Sequence, residues 1–127
     1  MYQQTDISYH DASILIVGLG ALGSAAALAL AATRPGQLCL VDNDRVETSN
    51  LQRQVLFGPG DIGRPKVEAA HERLATECRS FDTKLDASNC LELFEEADFV
   101  IDATDDPRSK WLINHTALLT STPYCHA

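Results

Sequence analysis

The sequence contains no long apolar stretch and no excess of basic residues. Its longest apolar run, residues 25–32, is much shorter than the roughly 20 residues that cross a bilayer, so we expect no membrane-spanning helix. Residues 1–11 lack the basic start and apolar core of a secretory signal, which favours a cytoplasmic protein. Ten basic residues stand against 18 acidic ones, and the net charge of −8 argues against a nucleic-acid partner. A small phosphorylated ligand is still compatible, because a helix N-terminus can bind phosphate without a basic surface.

Closely spaced cysteine pairs are also absent. Cys39, Cys78, Cys90 and Cys125 lie far apart in the sequence, so none forms a C-x-x-C pair of the zinc or redox type. We therefore expect no zinc ligands in this chain. The cysteines are expected to be reduced structural thiols, with Cys39 in the core.

Apolar, β-rich segments alternate with helical segments along the chain. The strands are expected at 13–18, 37–42, 81–85, 99–102 and 122–127, and the helices at 20–33, 66–79, 91–96 and 107–119. This alternation is typical of an α/β protein. It predicts a Rossmann-like, doubly wound, mainly parallel sheet with helices on both faces. Residues 1–127 are read as a single nucleotide-binding domain.

A glycine-rich loop joins the first strand to the first helix. Gly18, Gly20 and Gly23 form a G-x-G-x-x-G run. In such a run the first glycine permits a tight turn, the second lets a phosphate approach the backbone, and the third lets the helix pack close to the strand. Asp42 ends the second strand, where an acidic residue usually accepts hydrogen bonds from ribose hydroxyls. The alternative is that the glycines serve packing and Asp42 caps a loop. The order strand, loop, helix and acid favours a nucleotide site.

The loop at 43–64 is longer than an ordinary connection between a strand and a helix, which is typical of functional loops. Two segments, DNDRVETSNLQRQ (42–54) and DIGRPK (61–66), make up most of this loop and its two ends. A third segment, DATD (102–105), follows the strand expected at 99–102. At these residues the sequence resembles the ThiF/MoeB/HesA family, the ATP-dependent activating enzymes for ubiquitin-like and sulfur-carrier proteins. The resemblance extends from Ile14 to about Asn114 and is far more specific than the glycine loop.

The resemblance implies that the chain binds ATP with Mg²⁺ and adenylylates the C-terminal carboxylate of a small partner protein. The partner would be a ubiquitin-like or sulfur-carrier protein, in a pathway such as molybdopterin or thiamin biosynthesis, and the enzyme would be a homodimer. The triphosphate would lie over the glycine loop, with Arg53 and Lys66 as catalytic cations and Asp105 as the catalytic ligand of Mg²⁺. The remaining nucleotide contacts would come from Asp42, Asp44, Asn50 and Gln54.

Less specific roles are open for several of these residues. Arg53 and Lys66 could be solvated surface cations, and Asp105 could be the N-cap of the helix that Pro107 begins. Arg64 is expected to be solvated. Trp111 is expected to pack in the core.

The sequence departs from the family pattern in three places. Members usually carry an arginine-rich segment near the N-terminus, but residues 1–11 contain no arginine. Lys110 stands where arginine is common, and the second half of the family domain is absent, so we expect the N-terminal part of a longer domain. Two other functions therefore remain open. One is an NAD(H)-binding domain of a dehydrogenase or regulator, and the other is a non-catalytic module that retains the fold.

Overall fold

In the computed structural model, which describes residues 9–74 and 76–127, five strands form one sheet. The strands are β1 Ser13–Val17, β2 Gln37–Asp42, β3 Cys78–Asp82, β4 Phe99–Asp102 and β5 Tyr124–His126. All pairings are parallel and the order is β3-β2-β1-β4-β5. The chain therefore builds outward from β1 in one direction and then in the other, as in doubly wound folds.

Within the described residues, four helices cover both faces of the sheet. They are α1 Ala21–Ala32, α2 Lys66–Arg73, α3 Cys90–Glu95 and α4 Pro107–Thr120. Side chains of α1 and α2 pack with one set of strand residues, and those of α3 and α4 pack with the opposite set. The Rossmann-like fold predicted from the alternating pattern is confirmed.

The central strands have apolar side chains on both faces. In β1, Ile14 and Ile16 contribute to the α1/α2 core, whereas Leu15 and Val17 contribute to the α3/α4 core. Such double burial explains why the strand is a continuous apolar run without polar alternation. Cys39 of β2 is buried in the α3/α4 core, as predicted.

The boundary between α2 and β3 was predicted wrongly. The sequence pattern placed the helix at 66–79 and the strand at 81–85, but α2 ends at Arg73 and β3 already begins at Cys78. Leu74 leaves the helix in an extended conformation, and its side chain is buried in the α1/α2 core. Cys78 then pairs with Leu38 of β2. Pairing with a distant strand therefore overrides the local helical propensity of this segment.

The long loop after β2 is folded around one buried carboxylate. It contains two short 3₁₀ turns, Thr48–Asn50 and Pro59–Asp61. Asp61 accepts hydrogen bonds from the Gly58 N–H (2.8 Å), the Arg73 guanidinium (2.8 Å) and the Arg64 guanidinium (3.2 Å). Arg64 was expected to be solvated, but it is half-buried in this network.

Further backbone contacts hold the loop to the start of α2. The Val46 N–H donates to the Arg64 carbonyl, and the Gly63 N–H donates to the Val46 carbonyl. The Lys66 N–H donates to the carbonyl of Asp44. These bonds fix residues 44–46 beside the first turn of α2, which places both segments at the same edge of the sheet.

Trp111 was predicted to be a core residue, but it is 64% exposed and stacks on His115. On α4 the inward positions belong to Ile113 and Ala117, so the tryptophan lies on the solvent side of the helix. No helix in the described ranges is long and apolar enough to cross a membrane.

Candidate functional site

A cavity of about 570 Å³ opens at the carboxyl ends of the strands. Its walls come from the segments that follow β1, β2, β3 and β4, together with the long loop and the start of α2. The strand order reverses between β1 and β4, and doubly wound proteins bind ligands at this position. The predicted residues that line the cavity are Gly18, Gly20, Asp42, Asp44, Asn50, Arg53, Gln54, Lys66 and Asp105. Thr83 and Lys84 also line it, and they were not anticipated because β3 was displaced in the prediction.

Each glycine of the loop meets a different requirement. Gly18 has a φ of +96°, and a Cβ there would lie 2.7 Å from the Ala103 carbonyl oxygen. A Cβ on Gly23 would lie 1.8 Å from the carbonyl oxygen of Gly18, so α1 packs directly against the loop. At Gly20 a Cβ would meet nothing within 4 Å. The position of Gly20 on the cavity wall therefore leaves its backbone open to a ligand.

The N-terminus of α1 is available to an anion. Gly20 is its N-cap residue, and no side chain of residues 9–74 or 76–127 caps the first turn. Its first N–H groups and the helix dipole give this end a partial positive charge. The cavity reaches Ala21 and Leu22 in this turn. The arrangement is suited to a phosphate group.

Asp42 organises the backbone of the site. One carboxylate oxygen accepts the N–H of Leu19 at 2.7 Å, and the other accepts the N–H of Asp44 at 2.7 Å. The loop-capping alternative is thus part of its role. Each carboxylate oxygen can accept a further hydrogen bond, which leaves Asp42 able to contact a ribose hydroxyl as well. That contact stays a prediction.

Lys66 and Arg53 bring positive charge to the cavity. Lys66 is only 5% exposed, although it begins α2, while Arg53 is exposed on the loop. Within residues 9–74 and 76–127, no carboxylate lies within 4.0 Å of either side-chain cation. The Lys66 stem is covered while its ammonium group stays open to the cavity, so an anionic ligand there would pair with it directly. This favours phosphate binding over the solvated-surface alternative.

Asn50 and Gln54 are both buried beside these cations. The Asn50 side-chain oxygen accepts the N–H of Glu47 at 3.0 Å, which closes the Thr48–Asn50 turn. The Gln54 side-chain oxygen is buried without a hydrogen-bond partner in the described part of the chain. Such an acceptor is unfavourable until a donor reaches it, so the Gln54 amide is a candidate to change partners on ligand binding.

The segment after β4 carries two adjacent carboxylates with different roles. Asp106 is the N-cap of α4 and accepts the Ser109 N–H (2.9 Å) and hydroxyl (2.6 Å), which together lower the pKa of Asp106. The capping role considered for Asp105 therefore belongs to Asp106. The Asp105 side chain is exposed at the cavity.

A cation at Asp105 would need further ligands from a bound molecule. Among the residues that the structure describes, no group of three His, Cys, Asp or Glu side chains could hold a metal ion. Mg²⁺ is commonly held by one or two carboxylates together with phosphate oxygens and water. One exposed carboxylate on the wall of this cavity, which also reaches the N-terminus of α1, fits this chemistry.

A third carboxylate, Asp102, lies beneath the same segment; it is the first residue of the DATD motif, and no role was predicted for it from the sequence. It is fully buried and accepts hydrogen bonds from Thr104, Lys110 and His126. Burial alone would raise the pKa of Asp102, but the donors from Thr104, His126 and Lys110 outweigh it and lower the pKa. The sequence signal for this buried carboxylate is an aspartate at the end of an apolar strand. A charge buried at such a position needs hydrogen-bond donors or a counter-ion.

Comparisons with known proteins agree with this geometry. Residues 4–127 match the family described as the ThiF family. The probable adenylyltransferase/sulfurtransferase MoeZ of Mycobacterium tuberculosis is 37% identical over 119 residues, which is 90% of this chain and 30% of that protein. The adenylyltransferase and sulfurtransferase MOCS3 of Arabidopsis thaliana is 40% identical over 120 residues, or 87% of this chain and 25% of that protein. The chain thus spans less than a third of these relatives.

A solved structure shows the same architecture with a nucleotide. The tRNA N6-threonylcarbamoyladenosine dehydratase TcdA of E. coli, in complex with ATP, superposes with a TM-score of 0.87 at 30% identity. The match covers 93% of this chain and 51% of TcdA.

Proposed function

This chain belongs to the ThiF family, and we propose that it is the Mg²⁺-ATP-binding part of an adenylating enzyme. Its substrate would be the C-terminal carboxylate of a ubiquitin-like or sulfur-carrier protein. The observation that carries the proposal is Lys66, a largely covered side chain on the wall of a cavity that ends at a helix N-terminus; within residues 9–74 and 76–127 its ammonium group has no counter-ion. MoeZ and MOCS3 are both named adenylyltransferases, which supports the same reaction class.

In the proposed reaction, a carboxylate oxygen of the partner bonds to the α-phosphorus of ATP. The bond from that phosphorus to the bridging oxygen of the β-phosphate breaks, and pyrophosphate leaves. No general base is needed, because the carboxylate is already ionised. The chain's contribution is to position the nucleotide on the Gly20 backbone and to stabilise the shifting charge with Lys66 and Arg53.

Asp105 would hold Mg²⁺ at the open side of the cavity, with Asp44 facing the same space. The metal, when bound, would neutralise charge on the triphosphate. Asp42 would fix the ribose, and thereby the distance of the α-phosphate from the glycine loop. Asn50 and Gln54 would complete the polar wall beside the phosphates.

Homodimer formation and a cytoplasmic location are also part of the proposal. Trp111, Leu118 and Leu119 are exposed on α4, and apolar side chains of this size are typical of contact surfaces. All four cysteines are free, which suits a reducing compartment with a supply of ATP.

Two alternatives from the sequence are tested in the same assays. An NAD(H) site would use the glycine loop and Asp42 equally well, but it has no need for Arg53, Lys66 and the ordered loop between them. A non-catalytic module would bind ATP without turning it over. Family membership favours the adenylating function over the NAD(H) site.

The experiment is calorimetric titration of this chain with Mg²⁺-ATP and, in parallel, with NADH. We expect ATP binding without NADH binding, and loss of ATP affinity in Arg53→Ala and Lys66→Ala. Unchanged ATP affinity in both variants would contradict the site assignment, and NADH binding alone would support the dehydrogenase alternative.

Turnover is tested by exchange of labelled pyrophosphate into ATP in the presence of purified carrier protein. Exchange that depends on the carrier supports the proposed substrate class. Exchange that depends on tRNA instead would replace that substrate, and absence of exchange with a nucleotide-binding chain would favour the non-catalytic module.

A further inference from the structure

We propose that His126 and Lys110 are positioning residues for Asp105, and that they act through the buried carboxylate of Asp102. The inference rests on the proposed function, in which Asp105 is the ligand of Mg²⁺. Neither His126 nor Lys110 lines the nucleotide cavity, so any effect on the site must pass through another residue.

The first step is the contact between Asp102 and the segment that carries Asp105. One oxygen of Asp102 accepts both the Thr104 N–H (3.0 Å) and the Thr104 hydroxyl (2.5 Å). These two bonds fix the backbone immediately before Asp105. On the other side, Asp106 is fixed by its bonds to Ser109. Asp105 therefore lies between two anchored residues, and its direction depends on both anchors.

The second step is the source of the charge that holds Asp102 in place. Its other oxygen accepts His126 Nδ1 at 2.6 Å and Lys110 Nζ at 3.3 Å. A carboxylate that is fully buried at the end of β4 is stable only when such donors satisfy it. Lys110 comes from α4 and His126 from β5, so the three side chains join three elements at one point. We call this group the Asp102 cluster.

The third step is the contact between the same segment and the glycine loop. The Ala103 N–H donates to the carbonyl of Val17 at 2.9 Å, and the Ala103 carbonyl lies where a side chain on Gly18 would be. The cluster is thus placed to set the distance between Asp105 and the glycine loop.

Partial exposure makes the two outer residues suitable for substitution. The side chains of His126 and Lys110 are 53% and 38% exposed, so removing either leaves little unfilled space. An amide nitrogen in His126→Asn can replace Nδ1 as a donor, and Lys110→Arg retains the charge. Comparison of these conservative variants with variants that lack the donor shows whether the hydrogen bond to Asp102 is needed.

The experiment measures ATP affinity with Mg²⁺ and with a chelator for the wild-type chain and for these variants. We expect His126→Ala and Lys110→Met to weaken the Mg²⁺-dependent part of the affinity by roughly tenfold, as for other residues that orient a metal ligand. Affinity in chelator should stay unchanged, and His126→Asn and Lys110→Arg should recover most of the loss. His115→Ala is the matched control, because His115 is also an exposed histidine but stacks on Trp111.

A double-mutant cycle with Asp105→Asn tests whether the effect of His126 on ATP affinity passes through Asp105. Once Asp105 cannot bind the metal, His126→Ala should cause no further loss of affinity. An equal loss with and without Mg²⁺, or a loss that persists in the Asp105→Asn background, would overturn the inference.

A ligand-free measurement keeps this inference separate from the proposed function. Hydrogen exchange at the Thr104 amide should be faster in His126→Ala than in the wild-type chain and in His115→Ala. Unchanged exchange would overturn the positioning role even if ATP binds. Faster exchange in a chain that binds no ATP would support the cluster while contradicting the proposed function.

Discussion

The backbone N–H of Leu19, within the glycine loop, donates to the carboxylate of Asp42 at the end of the neighbouring strand, over 2.7 Å. This bond links the phosphate side of the cavity to the residue expected to hold the ribose. The same carboxylate accepts the N–H of Asp44. Asp42 is therefore part of the structure of the glycine loop as well as a candidate ligand contact.

We expect Asp42→Ala to lower both the free energy of unfolding and the affinity for ATP. Loss of two backbone hydrogen bonds to a charged acceptor should cost about 1–3 kcal/mol of stability. Asp42→Asn keeps one acceptor oxygen and should lose less. Chemical denaturation and calorimetric ATP titration provide the two measurements. Asp82→Asn is the control, because Asp82 is opposite Asp42 in the sheet but exposed. Equal stability of Asp42→Ala and wild type would contradict the structural role.

Gly20→Ala and Gly23→Ala should have opposite signatures. The methyl group at Gly20 meets open space, so the variant should fold normally but bind ATP roughly tenfold more weakly. At Gly23 the methyl group would meet the Gly18 carbonyl at 1.8 Å, and we expect a loss of several kcal/mol in stability. Thermal unfolding with and without ATP distinguishes the two effects. A normal melting temperature for Gly23→Ala would show that α1 can move away from the loop.

Lys66→Met is expected to weaken ATP binding without lowering stability. The substitution removes an ammonium group that has no counter-ion in the described part of the chain and keeps the covered apolar stem. The free energy of unfolding should therefore stay within about 0.5 kcal/mol of wild type. Lys66→Arg retains the charge and should retain part of the affinity. A stability decrease in Lys66→Met would mean that the ammonium group is already satisfied in the free protein.

Asp102 should contribute an acid-sensitive part of the stability. Its pKa is lowered from 3.8 in the folded chain, so the ionised form stabilises the fold above that value. This contribution should diminish as the pH falls below about 3.8 and should be lost as it passes through the lower pKa of the folded state. Denaturant titrations from pH 7 down to about pH 2 should show a flatter acid limb in Asp102→Asn than in wild type. Parallel curves for the two proteins would contradict this assignment.

The glycine loop and the strand ends could be predicted from the sequence because their signals are local. Gly18 and Gly20 follow an apolar run directly, and Asp42 follows the next one. The carboxyl ends of parallel strands lie at one edge of the sheet, so the meeting of these residues follows from the fold class. The family pattern added Arg53 and Lys66 to the same edge.

Other features depend on contacts between distant segments. The burial of Lys66 results from the folding of residues 43–64 over the start of α2, which no local pattern specifies. The Asp102 cluster needs the pairing of β4 with β5, because only that pairing brings His126 beside Asp102. The early end of α2 and the exposure of Trp111 also reflect tertiary packing, which outweighs local propensity.

The network around Asp61 affects the thermodynamics of ligand binding. Because Gly58, Arg64 and Arg73 already hold the long loop, its backbone is ordered before any nucleotide arrives. The entropy lost in ordering the loop therefore belongs to folding and is absent from the binding step. Nucleotide association should accordingly be fast and should show no slow conformational phase. Its rate constant should fall as ionic strength rises, because Arg53 and Lys66 attract the anionic nucleotide. A chain in which Asp61 is replaced would shift that ordering into the encounter with the ligand, and its association rate would fall even where the final contacts are the same.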